Sequence, residues 1–142
     1  MCGRNSNLRP IVSPINTLLL LTKKLACRCT GCGILRENIA DNGGIRIAYK
    51  ALQNALMRSS RSRVKLPGLD TYSAEQLFFI SFGSMFCNKM TPEARTHYIR
   101  TDPHTVPRHR VNVALMNSAK FASAFSCRND KKMNPTRKCV LW

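Results

Sequence analysis

Acidic residues are scarce: the 142-residue chain carries seven Asp and Glu against 23 Lys and Arg, a formal net charge of +16. Long apolar runs are missing as well. No stretch approaches the ~20 apolar residues of a membrane-spanning helix, so no transmembrane segment is expected. The run "NTLLLLT" at 16–22 is too short, and Lys23 and Lys24 follow where a cleavable signal wants small neutral residues. Internal repeats and low-complexity tracts are absent, and the length suits one ordinary domain.

Excess positive charge alone is the electrostatic footprint of a nucleic-acid or anionic-membrane binder. That reading needs clustered charge, but the basic residues are spread along the chain. Small groups occur at 58–65, 108–110 and 128–138, and no aromatic-basic RNA-binding motif accompanies them. No nucleic-acid partner is therefore expected.

Seven cysteines stand at 2, 27, 29, 32, 87, 127 and 139, and an odd number leaves at least one without a partner in the chain. Cys27, Cys29 and Cys32 in "CRCTGC" have the close spacing of metal ligands. A structural zinc site takes four ligands, however, and no second C-x-x-C follows. Cys87, Cys127 and Cys139 are isolated at the ends of apolar or helical stretches, as structural disulfides or buried thiols would be.

Residues 1–34, with Pro10, Pro14, scattered basic residues and one leucine run, sustain no period and read as irregular. From Glu37 to about Arg58 the period is helical, with Ile45, Tyr49, Leu52 and Leu56 on one face. "VKLPGLDTY" reads as a loop. Ser73 and Gln76 form a capping-box pattern before "AEQLFFISFGSMFC", a helix apolar on nearly every side that calls for burial against more than this chain supplies. Thr91, Pro92 and Glu93 open a third helix through about Ile99. "RTDPHTVPRHR" reads as a loop, "RVNVAL" as a short strand or extended piece, and Asn117 as the cap of a last helix through Phe125.

Glu37 and Asp41 are four apart, so on a helix they share a face. Two like charges gain nothing there unless a cation or donor faces them. Ile39, Ala40, Gly43 and Gly44 make this turn small and apolar, which suits a packed turn whose carboxylates are compensated. Each interior glycine costs about 1 kcal/mol relative to alanine, so the pair predicts close packing or a nearby ligand.

Taken in order, "ENIADNGG", "LPGL", "EQLFFISFGSMFC", "RTDPH", "RHRVN", "NSAKFASAFSC" and "MNP…KC" before the C-terminal tryptophan resemble the C-terminal part of the neprilysin and endothelin-converting-enzyme family of zinc metalloendopeptidases. The resemblance covers residues 35–142 and leaves 1–34 as a non-homologous segment. It implies a mainly α fold, the helical C-terminal portion of a thermolysin-like zinc peptidase catalytic domain. In such enzymes two histidines of an H-E-x-x-H helix and a downstream glutamate hold zinc, and the glutamate between the histidines takes the proton from the attacking water.

By that resemblance Glu37 corresponds to the downstream zinc ligand and Asp41 to the carboxylate that orients a zinc-binding histidine. His104 corresponds to the donor to the developing oxyanion, Asp102 to the carboxylate holding its imidazole, and Arg110 to the arginine that binds a substrate backbone carbonyl. His97 and His109 read as surface histidines. Cys87, Cys127 and Cys139 resemble cysteines whose disulfide partners lie upstream in the family, and are expected to be unpaired here unless Cys2, Cys27, Cys29 or Cys32 substitutes. The family acts on peptides, in secreted form or at the extracellular face of the plasma membrane.

One departure is decisive for chemistry. None of the three histidines, 97, 104 and 109, belongs to an H-E-x-x-H. Two zinc ligands and the general base are missing, so the chain alone is expected neither to bind zinc tightly nor to hydrolyse peptides. Two rival readings are a catalytically inactive protein that binds peptides or a partner near Arg110, and a small basic nucleic-acid module using the cysteine triplet as a metal knuckle.

Overall fold

The computed structural model describes residues 31–58 and 65–139. The "NTLLLLT" run, Cys2, Cys27, Cys29, the Cys32 side chain and Trp142 lie outside the described residues. Among the described residues five helices follow in the order α1 (Gly31–Arg58), α2 (Ala74–Met85), α3 (Pro92–Thr101), α4 (Pro107–Met116) and α5 (Ala119–Ala124). The described residues contain no strand, only an isolated bridge between Lys131 and Asn134. The chain is thus mainly α-helical.

Helix α1 begins six residues ahead of the expected Glu37. Half-buried Ile34 continues the face of Ile45 and Tyr49 at helical spacing, but polar Asn38 and Asp41 interrupt it, which hides the period in the sequence. Ile45 and Tyr49 are buried as the pattern predicts. Gly43 is buried too, but Gly44 is exposed and a Cβ there would meet nothing within 4 Å, so close approach does not account for Gly44.

The loop at 65–73 contains the turn Leu66–Leu69, where Gly68 takes φ of 78° after Pro67, the arrangement of a type II turn. Ser73 and Gln76 form the full capping box at α2. Thr91 Oγ1 accepts the Ala94 amide at 3.2 Å, with Pro92 in the first turn of α3.

Helix α4 departs from the expected extended piece. "RVNVAL" is helical and not extended, because Pro107 at the first helical turn sets φ for a helix, and the turn then buries Ala114, Leu115 and Met116. Six alternating residues are too few to decide between periods. The stretch before it is accordingly a loop only to Val106. The last helix is capped by Ser118, whose Oγ accepts from the Phe121 amide at 3.1 Å, and not by Asn117.

These helices enclose one core of Ile45, Tyr49, Phe79, Leu115, Phe121, Ala122 and Cys127. Phe79 is its pivot: it stacks on Tyr49 at 5.3 Å and meets the edge of Phe121 at 5.5 Å. Full burial of one such side chain contributes roughly 1.5–3 kcal/mol. Phe79 is the one buried residue of α2, and Met85 at its end is 78 % exposed. Cys127 is disulfide-bonded, contrary to the expectation that it lacks a partner, whereas Cys87 and Cys139 carry free thiols.

Candidate functional site

Helix α1 carries Glu37 and Asp41 one turn apart, and the segment 102–110 brings a partner to each. The imidazole of His104 lies between two carboxylates. Its Nε2 is 3.0 Å from Glu37 Oε2 and its Nδ1 is 2.8 Å from Asp102 Oδ1. An ionised carboxylate only accepts, so both contacts are hydrogen bonds at once when both ring nitrogens carry hydrogen.

Asp102 also accepts the backbone N–H of His104 at 2.8 Å. That bond, reinforced by the imidazole and the Tyr98 phenol, holds the Asp102 carboxyl below the usual aspartate range. Burial pushes the Tyr98 phenol up, and the neighbouring Asp102 adds to the shift. The residues 102–104 thus form a short turn in which the carboxylate fixes both the backbone and the ring of the histidine.

Asp41 is gripped by Arg110. Nε donates to Oδ2 at 2.8 Å and Nη2 to Oδ1 at 2.7 Å, a bidentate pair. The Asp41 side chain is 11 % exposed and that of Arg110 20 %. Asp41 raises the guanidinium pKa further. The guanidinium lies 4.8 Å over the ring of Phe86, just past α2, a cation–π contact that leaves the planar fork little freedom. The two bonds to Asp41 use two of its five N–H donors.

The five residues expected from the sequence therefore meet, in two linked groups: Glu37 with His104 and Asp102, and Asp41 with Arg110. His97 and His109 are exposed. Sequence reasoning missed Phe86 and Tyr98, whose roles depend on contacts distant in sequence or on the loop turn. It also missed Asn38 and Asn42, a second polar pair at the same spacing beside the first, which was itself a readable signal.

The zinc implied by the resemblance needs three protein ligands beside a water. Among the described residues no group of three or more His, Cys, Asp or Glu is placed to hold a metal ion. Glu37 is one carboxylate facing a histidine, and Asp41 is committed to a guanidinium. The described residues do not make a zinc centre by themselves. No described helix is long and apolar enough to cross a membrane.

Comparison with known proteins points the same way as the motifs. The model of peptidase family M13 matches residues 17–141, beginning ahead of residue 35. The chain is 46 % identical over 112 residues to neprilysin of Mus musculus and 43 % identical over 106 residues to neprilysin-1 of Caenorhabditis elegans. It is 44 % identical over 108 residues to an endothelin-converting enzyme homolog of Locusta migratoria. Those alignments cover 75–79 % of this chain but only 14–15 % of each relative. With a family model spanning most of its length and relatives at this identity, the chain belongs to peptidase family M13.

Proposed function

We propose that this chain supplies the C-terminal part of the active site of a zinc metalloendopeptidase and is inactive by itself. In that reading Glu37 is the third zinc ligand, beside two histidines that this chain lacks, and zinc would polarise the scissile carbonyl and its attacking water. Asp102 holds Nδ1 of His104, which directs Nε2 towards charge that develops on the carbonyl oxygen. Asp41 orients a neighbouring zinc-binding histidine and anchors Arg110, whose remaining donors take a peptide carbonyl. The substrates are peptides, cleaved outside the cell by a secreted or membrane-anchored enzyme. The exposed apolar surface at Met85 and Ile99, 78 % and 60 % exposed, would then be covered by the rest of the peptidase.

The observation that carries this reading is the hold of Asp102 on His104, whose backbone N–H and Nδ1 both lie 2.8 Å from Asp102 Oδ1. A chimera tests it. Residues 35–139 replace the matching segment of mouse neprilysin, and hydrolysis of a peptide is measured. Activity that is abolished by Glu37→Ala, together with loss of bound zinc, supports the assignment. A folded chimera whose activity survives Glu37→Ala overturns it. The purified chain alone is expected to give no hydrolysis and no stoichiometric zinc. One observation favours a second reading, a peptide-binding protein without turnover: Glu37 and His104 already satisfy one another. Peptide binding by the isolated chain without cleavage would support it.

A further inference from the structure

Beside the carboxylate pair of α1 runs a second polar row, Asn38 and Asn42, that the catalytic roles do not use. Asn42 Nδ2 donates to the backbone carbonyl of Asn38 at 2.8 Å. Asn42 Oδ1 accepts from Asn117 Nδ2 at 2.9 Å, and Asn117 Oδ1 accepts the backbone N–H of Cys139 at 3.0 Å. A backbone carbonyl can only accept and a backbone N–H can only donate. The two ends of this relay therefore fix both amide orientations, and the middle bond has one consistent polarity, from Asn117 to Asn42.

Position gives the relay its meaning. Asn42 follows Asp41 on α1, while Asn117 closes α4, whose first turn holds Arg110. The Asp41–Arg110 pair and the Asn42–Asn117 bond thus tie one turn of α1 to both ends of α4. The far end of the relay is anchored in the tail. Next to Cys139, Lys138 Nζ donates to the Met116 carbonyl at 3.0 Å and to Asn134 Oδ1 at 2.8 Å. Asn134 is buried and donates to the Cys127 carbonyl at 2.9 Å. At the other end, Thr105 Oγ1 reaches Asn38 Oδ1 at 3.4 Å, a long contact beside the His104 loop.

From this geometry we infer that Asn42 and Asn117 are positioning residues, which hold the Glu37 and Asp41 row in register with His104 and Arg110 by transmitting the placement of the 127–139 tail. The inference rests on the zinc-peptidase reading only for what that register serves. Neither asparagine touches the reacting groups, and each acts through a neighbour.

The test uses the full chain. Exchange of the Arg110 Nε–H, which reports its bond to Asp41, is compared by NMR with exchange of the Phe79 backbone amide in the core. Asn42→Ala is the primary variant, since alanine favours the helix and keeps the fold. Asn117→Ala and the double variant complete a cycle. The inference expects Arg110 Nε–H exchange at least tenfold faster in either single variant, no further change in the double, and unchanged exchange at Phe79. Equal acceleration at Arg110 and Phe79 would mean a general structural role and overturn it. So would unaltered Arg110 exchange in Asn42→Ala. In the neprilysin chimera the same variants are expected to lower kcat/KM about tenfold, with KM raised as Arg110 loosens. An inactive parent chimera would remove the functional reading and leave the exchange result to decide the positioning role.

Discussion

The two halves of α1 are held in different ways. Its second half puts Ile45 and Tyr49 into a core with Phe79 and Phe121. Its first half puts Glu37, Asn38, Asp41 and Asn42 against a histidine, a threonine, an arginine and an asparagine. The apolar half is held by contacts that tolerate exchange of one hydrocarbon for another. The polar half is held by partners that leave an uncompensated group behind when one is removed. One helix thus joins a forgiving anchor to an exacting site.

Substitutions sharpen that contrast. Phe121→Ala, at a residue with 0 % exposure, is expected to cost about 4 kcal/mol. Read by chemical denaturation, that loss takes site and core together, since a domain of this size holds roughly 5–15 kcal/mol. Arg110→Ala is expected to cost about 2 kcal/mol, less than the roughly 3–5 of a fully buried pair because a fifth of its side chain is exposed. Arg110→Lys would recover only part of it, because an ammonium cannot make the bidentate fork. A core substitution of Leu115→Met, by contrast, should cost below about 1.5 kcal/mol. If Arg110→Lys is the milder of the two, the contrast between the halves fails.

Smaller effects follow at the helix ends and glycines. Ser73→Ala removes the capping box of α2 and should cost about 1 kcal/mol in thermal unfolding. Gly44→Ala should stabilise by about 0.5–1 kcal/mol, because the position is helical, exposed and open around a new Cβ. Acid acts most locally. The Asp102 pKa is lowered in the fold, so the bonds it accepts are present above the ordinary aspartate range and are lost as pH falls through its lowered value. The His104 amide resonance should shift in that step before the core amides move.

Several of these features were legible in the residues. The face of Ile45 and Tyr49, the Ser73 box and the Thr91–Pro92 start all act within one or two turns, where spacing and capping chemistry are sufficient. The motif order groups Glu37, Asp41, Asp102, His104 and Arg110, and in the fold they meet as Glu37 with His104 and Asp102 and Asp41 with Arg110. What failed was local evidence outvoted by packing. Alternating "RVNVAL" became a helix because Pro107 starts it and the core receives Ala114 and Leu115. Asn117 lost the capping role to Ser118 and instead bridges α1 to the tail. Gly44, paired with buried Gly43, turned out to face open space.

The sequence by itself determined which segments are helical at strong period, where two of them begin, and which carboxylates share a turn, because those properties depend on neighbours along the chain. Tertiary structure decided what each carboxylate meets. Glu37 lies 67 positions from His104 and Asp41 lies 69 from Arg110, and no local rule chooses between such partners. Only the packing of α1 against α4 around Phe79 and Phe121 brings the right donor to each acceptor, since buried polar groups are stable only in the arrangement that satisfies them all.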